Sequence, residues 1–133
     1  MWPAFLAALL LTIPEARAQS GRSYDAQGRF EGRTEDGRRY DRQGRFEGRS
    51  DTRGADRRDY DARGRFQGRS ETRGDTTRHY DAQGRSTGRT ERSGDTLRHA
   101  DSQGRSTGRT EIRNGEERHY DAQGRFTGRT VRR

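Results

Sequence analysis

Hydrophobic side chains occupy two kinds of position in this 133-residue chain. One is a continuous apolar run from Ala4 to Ile13. The other is a set of isolated rings that recur in pairs six residues apart, Tyr24 with Phe30, Tyr40 with Phe46, Tyr60 with Phe66 and Tyr120 with Phe126, each set among Arg, Gly, Asp and Thr. The rings belong to a unit, Tyr-Asp-x-x-Gly-Arg-x-x-Gly-Arg-Thr/Ser, with copies starting at Tyr24, Tyr40, Tyr60, Tyr80, Ala100 and Tyr120.

Within a copy, Asp25 at the first turn position and Gly28 three residues later predict a type I turn. A left-handed Gly28 completes a three-residue hairpin loop with a bulge. Asp25 then faces Arg29, and Tyr24 faces Phe30 across the hairpin. Continuing the alternation by twos puts Tyr24, Phe30, Gly32 and Thr34 on one face, and Asp25, Arg29, Glu31 and Arg33 on the other. The first is the expected core face, with its glycines leaving room for a neighbouring ring. Arg22, Arg38, Arg58, Arg78, Arg98 and Arg118 fall on it too, where their stems can cover Tyr rings.

The hairpins are joined by second hairpins. Glu35-Asp36-Gly37 predicts a three-residue loop in the first, and later copies are four residues longer, as around Arg113-Asn114-Gly115. Four is even, so each arm gains two residues and no side chain changes face. The repeat begins with half a unit, Gly21-Arg22-Ser23, and stops after the other half, Gly128-Arg129-Thr130-Val131. Pairing of those halves closes a shallow ring or barrel and removes the sheet edges; an open meander is the alternative. In copies four and five Ser86 and Ser106 replace Phe and Ala100 replaces Tyr, which predicts thinner packing there.

The expected fold is therefore all-β, a six-copy hairpin-repeat domain over residues 19–133, preceded by an N-terminal signal helix. The apolar run, Pro14 and Ala16-Arg17-Ala18 have the order of a secretory signal peptide over residues 1–18, cleaved after Ala18. The run is about half the length of a membrane-spanning helix. Cysteine is absent, which excludes disulfides and a lipid-modified Cys. The mature chain is expected to be periplasmic or secreted, with no transmembrane anchor after cleavage.

The mature chain has few large apolar residues, a content in the range of disordered chains, so any fold has a modest core. All 29 basic residues are Arg and the net charge is +8. That excess favours anionic partners, whereas interleaved acids favour a solvated, self-paired surface. The candidate anion-binding residues are Arg33, Arg49, Arg69, Arg89, Arg109 and Arg129, each following the second Gly of a copy. Copies three to six carry Gln67, Thr87, Thr107 and Thr127 where the first two carry Glu31 and Glu47, so binding is expected to favour the C-terminal half.

His79, His99 and His119 share one slot in successive copies and are expected as exposed strand residues. Metal ligation would require a narrow ring. Gly-x-x-Gly, as in Gly28 to Gly32, lacks the Lys and the strand-to-helix context of a phosphate loop. No nucleophile-base or paired-carboxylate constellation rises above the repeat, so neither an enzyme nor a cofactor or metal is expected.

The unit Tyr-Asp-x-x-Gly-Arg-x-x-Gly-Arg resembles the short repeats of the β-flower proteins of bacteria, over residues 21 to 133. That resemblance implies an exported ring of β-hairpins and implies no activity. Where those repeats commonly have Ile or Val, this chain has Glu31, Thr87 or Thr127. A weaker similarity is to the Tyr-Asp repeats of Rhs-type toxin shells, which use many more copies and enclose a toxin domain. The expected function is a structural or interaction module, with envelope components as partners. The alternative is an electrostatic binder of anionic polymers such as lipopolysaccharide, nucleic acid or polyphosphate.

Overall fold

A computed structural model describes residues 20–132, and the expected signal segment lies outside the described residues. The strands are β1 (Gly21–Asp25), β2 (Phe30–Glu35), β3 (Arg38–Asp41), β4 (Phe46–Arg53), β5 (Asp56–Asp61), β6 (Phe66–Arg73), β7 (Thr76–Asp81), β8 (Ser86–Ser93), β9 (Thr96–Asp101), β10 (Ser106–Arg113), β11 (Glu116–Asp121) and β12 (Phe126–Arg132). Each pairs antiparallel with its neighbours in sequence. β1 pairs with β12, Ser23 opposite Thr130, and closes the barrel as the two half units predict. Closure satisfies both edges of the sheet.

The turns at one rim form as expected. The Gly28 N–H donates to the Asp25 carbonyl and the Asp25 N–H to the Arg29 carbonyl, both at 2.9 Å, and Gly28 has φ 84°. The Asp25 carboxylate accepts from the N–H groups of Gln27 and Arg29, each at 2.9 Å, and from Arg29 Nε. The Arg29 N–H chiefly holds this carboxyl below the usual range, and the same bonds recur at Asp41, Asp61, Asp81, Asp101 and Asp121. A carboxylate that caps two backbone donors explains why every copy keeps the Asp.

The loops at the other rim are shorter than expected. Glu35 pairs with Arg38 and Arg113 with Glu116, leaving two-residue turns, Asp36-Gly37 and Asn114-Gly115, with positive φ at both residues. That is the type I′ hairpin turn, whose twist matches the flanking strands. The longer copies do lengthen each arm by two residues: β2 and β3 share four pairs, β4 and β5 six.

The face assignment needs correction. Tyr24 pairs with Phe30, but the next pair is Ser23 with Gly32, so Glu31 is an extra residue. One extra residue reverses the alternation beyond it. Gly32 and Thr34 therefore share the inner face with Ser23, while Arg33 joins Tyr24 and Phe30 outside. The shift recurs in every copy. The second glycine exists for this bulge: a Cβ on Gly48 would lie 2.3 Å from the Tyr60 carbonyl oxygen of the neighbouring strand. Backbone, rather than a ring, fills that space.

The Tyr and Phe pairs meet edge to face at 5.8 to 5.9 Å, but on the outer surface, with Phe46 41% exposed. The inner face holds the core, and most of it is polar. Thr77, Leu97, Thr90, Thr110, Thr130 and Glu117 are buried, with Leu97 1% and Glu117 0% exposed. Copies four and five, short of rings outside, hold the most buried residues inside. The expected thinning there does not occur, because those rings are surface residues.

Candidate functional site

The bulge decides where the six candidate arginines go. Each leaves the second Gly on the outer face, between two neighbours. Within its own hairpin it stands opposite another arginine: Arg22 with Arg33, Arg38 with Arg49, Arg58 with Arg69, Arg78 with Arg89, Arg98 with Arg109 and Arg118 with Arg129. Toward the next hairpin it stands opposite a ring. The guanidinium of Arg33 lies 4.4 Å from the centre of Tyr40, Arg49 4.3 Å from Tyr60, Arg69 4.4 Å from Tyr80, Arg109 4.3 Å from Tyr120 and Arg129 4.6 Å from Tyr24. Arg89 faces Ala100 instead.

Twelve arginines thus form a belt around the barrel, two per hairpin. The six candidates share a face without converging on one point. Each also meets a carboxylate on that face: Arg33 and Glu35 at 3.2 Å, Arg49 and Asp51 at 2.5 Å, Arg69 and Glu71, Arg89 and Glu91 at 2.9 Å, Arg109 and Glu111 at 3.1 Å, Arg129 and Glu116 at 3.8 Å. The expected C-terminal preference therefore loses its basis. Glu31 and Glu47 sit in bulges, and the acids that meet the arginines come two residues after five of them, in both halves.

Cross-strand geometry orders the acids as well. Glu35, Asp51, Glu71, Glu91 and Glu111 stand opposite Arg38, Arg58, Arg78, Arg98 and Arg118, whereas the corresponding residue at the closure of β1 and β12, opposite Arg22, is Val131. Positive charge is least offset at this seam. Arg22 and its five counterparts carry the belt as much as the candidates do, and the alternation reading missed the partnership because it set the two series on opposite faces.

The histidines also need correction. His79, His99 and His119 are half-buried inside the barrel, bonded through both ring nitrogens to hydroxyls of neighbouring strands at 2.9 to 3.1 Å. The bulge puts Thr90, Thr110 and Thr130 on their face. Burial pushes His79 and His119 down to about 4 and lowers His99 as well. Among the described residues no group of three or more His, Cys, Asp or Glu is placed to hold a metal ion.

In the same slot the first copies place Ser23, Arg39 and Asp59. Arg39 Nη1 donates to Ser50 Oγ at 2.8 Å, Ser50 donates to Asp59 at 2.7 Å, and Arg57 pairs with Asp59 at 2.6 Å. Burial brings Arg57 down to about 10, so it stays charged at neutral pH.

Compared with known proteins, the chain matches no family model, no curated protein and no solved structure.

Proposed function

We propose that this chain is an exported, non-enzymatic hairpin-repeat module of the β-flower-like kind, whose outer arginine belt binds anionic polymers of the cell envelope or its surroundings. The observation that carries the reading is the set of six directly opposed Arg pairs. Like charges directly opposite destabilise a sheet. The arrangement recurs in all six hairpins, so the barrel presents paired guanidinium groups around its circumference. Tyr rings beneath five of the guanidinium groups leave their edges available to phosphate or sulfate oxygens.

Retention on immobilised heparin tests the reading. Binding through the belt releases counterions, so retention should fall steeply as salt rises. Replacing Arg22 and Arg129 by Gln at the seam should lower the eluting salt more than replacing Arg58 and Arg69. No retention at low salt would return the chain to a structural role without a polyanionic ligand. The intact mass of secreted material tests export separately, with Gln19 as the expected first residue.

A further inference from the structure

The interior histidines form one connected chain of hydrogen bonds. Ser70 Oγ lies 3.0 Å from His79 Nδ1; His79 Nε2 3.0 Å from Thr90 Oγ1; Thr90 Oγ1 2.9 Å from His99 Nδ1; and His99 Nε2 3.0 Å from Thr110 Oγ1. Thr110 Oγ1 then lies 3.1 Å from His119 Nδ1, His119 Nε2 3.1 Å from Thr130 Oγ1, and Thr130 Oγ1 3.2 Å from Ser23 Oγ. The last contact crosses the closure of β1 on β12.

Each of these contacts needs one hydrogen. A neutral imidazole has one N–H and one bare nitrogen, and a hydroxyl donates once. Thr90 and Thr110 are 3% and 1% exposed, and each hydroxyl meets two rings. A threonine that accepts from one ring must donate to the next. The donor direction therefore propagates from Ser70 to Ser23 or back, and all three rings take the same tautomer.

One added proton fits this scheme. If it sits on His99, both its nitrogens donate, and Thr90 and Thr110 each pass a hydrogen outward, so every contact keeps one. A second proton does not fit. Wherever it lands, some threonine receives an N–H from both sides, and its own hydrogen is left inside the barrel without an acceptor, at the cost of burying an unsatisfied group.

We infer that this chain is a one-proton sensor: the closed barrel accepts a single proton along the Ser/Thr-His line, and a second proton opens the barrel. The charges around it fit that order. Arg57 and Asp59 of β5 act on His79, the His99 charge depresses both flanking rings, and the buried pair of Glu117 with Arg132 lies next along β11 and β12. His99, between the other two, takes the first proton.

Nitrogen NMR of the full chain, labelled with 15N, tests this directly. At neutral pH the three imidazoles should show one common neutral tautomer. On acidification one ring should charge while the barrel signals persist, and a second should charge only as the folded signals vanish. Mixed tautomers at neutral pH, or two charged rings in a folded barrel, would overturn the inference. Thr110→Val removes the hydroxyl between His99 and His119, so an added proton would leave an N–H of one of these rings facing the Val side chain, and the folded variant should take up no proton, whereas Thr110→Ser should behave as the parent chain. If the Val variant does not fold, the tautomers and proton count of the parent chain still decide the matter.

Discussion

The barrel changes its interior chemistry partway round while its backbone does not. From β3 to β6 the slot below the bulge holds Arg39 and Asp59, joined through Ser50 and backed by Arg57. From β7 to β12 it holds His79, His99 and His119, joined through threonines. The first region is held by opposite charges out of water, and the second by neutral groups that share hydrogens. Strand pairing, the bulge and the Asp-capped turn are common to both. What the difference teaches is that the repeat specifies a backbone, and the slot residue is free to vary so long as its polar groups are satisfied from the adjacent strand. A small polar core of this kind depends on complete satisfaction more than on buried apolar area.

The most severe way to probe the comparison is to attack what the two regions share. Gly48→Ala in the charged region and Gly108→Ala in the histidine region both drive a Cβ to 2.3 Å from a backbone carbonyl oxygen. Neither carbonyl can move without breaking the ladder. Both variants should lose at least about 4 kcal/mol, enough to abolish folding in a domain this small. Circular dichroism and chemical denaturation would show it, and a folded, stable Gly108→Ala barrel would mean that the histidine region does not need the bulge.

Next in size is a change that should separate the regions. Asp59→Ala removes the carboxylate between two guanidinium groups, Arg57 at 2.6 Å and Arg39 at 3.9 Å, and leaves them largely buried. Removing one member of a buried ionic cluster costs roughly 3 to 5 kcal/mol. His99→Ala removes two neutral hydrogen bonds while Thr90 and Thr110 keep His79 and His119, about 0.5 to 1.5 kcal/mol for each bond lost. Denaturation midpoints should therefore fall further for Asp59→Ala, and equal losses would erase the distinction between charged and neutral regions.

Acid should act on the histidine region. The folded pKa of His79 and of His119 is about 4, below the ordinary 6.5, so the unfolded chain binds more protons between those values and stability falls as pH falls through that window. With the folded ring neutral and the unfolded one charged, the loss reaches roughly 3 kcal/mol per ring at the acid end of that window. The turn aspartates, also lowered, lose their contribution as pH falls further, through their folded pKa values. His79→Asn with His119→Asn should flatten the slope of stability between pH 6.5 and 4; an unchanged slope would place the acid sensitivity elsewhere.

Much of this was legible in the residues. The Asp-x-x-Gly turn, the Tyr and Phe pairs and the closing of the two half units follow from local turn chemistry and from where the repeat starts and stops. The extra residue at Glu31 was not legible from alternation, because a bulge looks like any other strand position until pairing is known. That single residue hid the rest: it put Arg33 beside Tyr40, brought Thr90 to the histidines, and exposed rings that a straight strand would have buried. The mark it does leave is a glycine whose side chain would collide with the adjacent backbone, which a sequence shows only as a glycine.

The smallest expected effect concerns the outer face of the fifth copy, where Ala100 and Ser106 stand in place of rings. Arg89 faces Ala100, and Ala100 pairs with Ser106, so neither the cation-ring contact nor the ring pair of the other copies can form. Ala100→Tyr with Ser106→Phe should restore both. Exposed contacts of this kind contribute about 0.5 to 1 kcal/mol for a guanidinium on a ring and a similar amount for an edge-to-face pair. The gain should be present in Ala100→Tyr alone and vanish when Arg89→Gln is added, which isolates the guanidinium contact from simple burial of the ring. A gain that survives Arg89→Gln would assign the benefit to the ring covering the strand, and the arginine belt would then owe nothing of its order to the tyrosines beneath it.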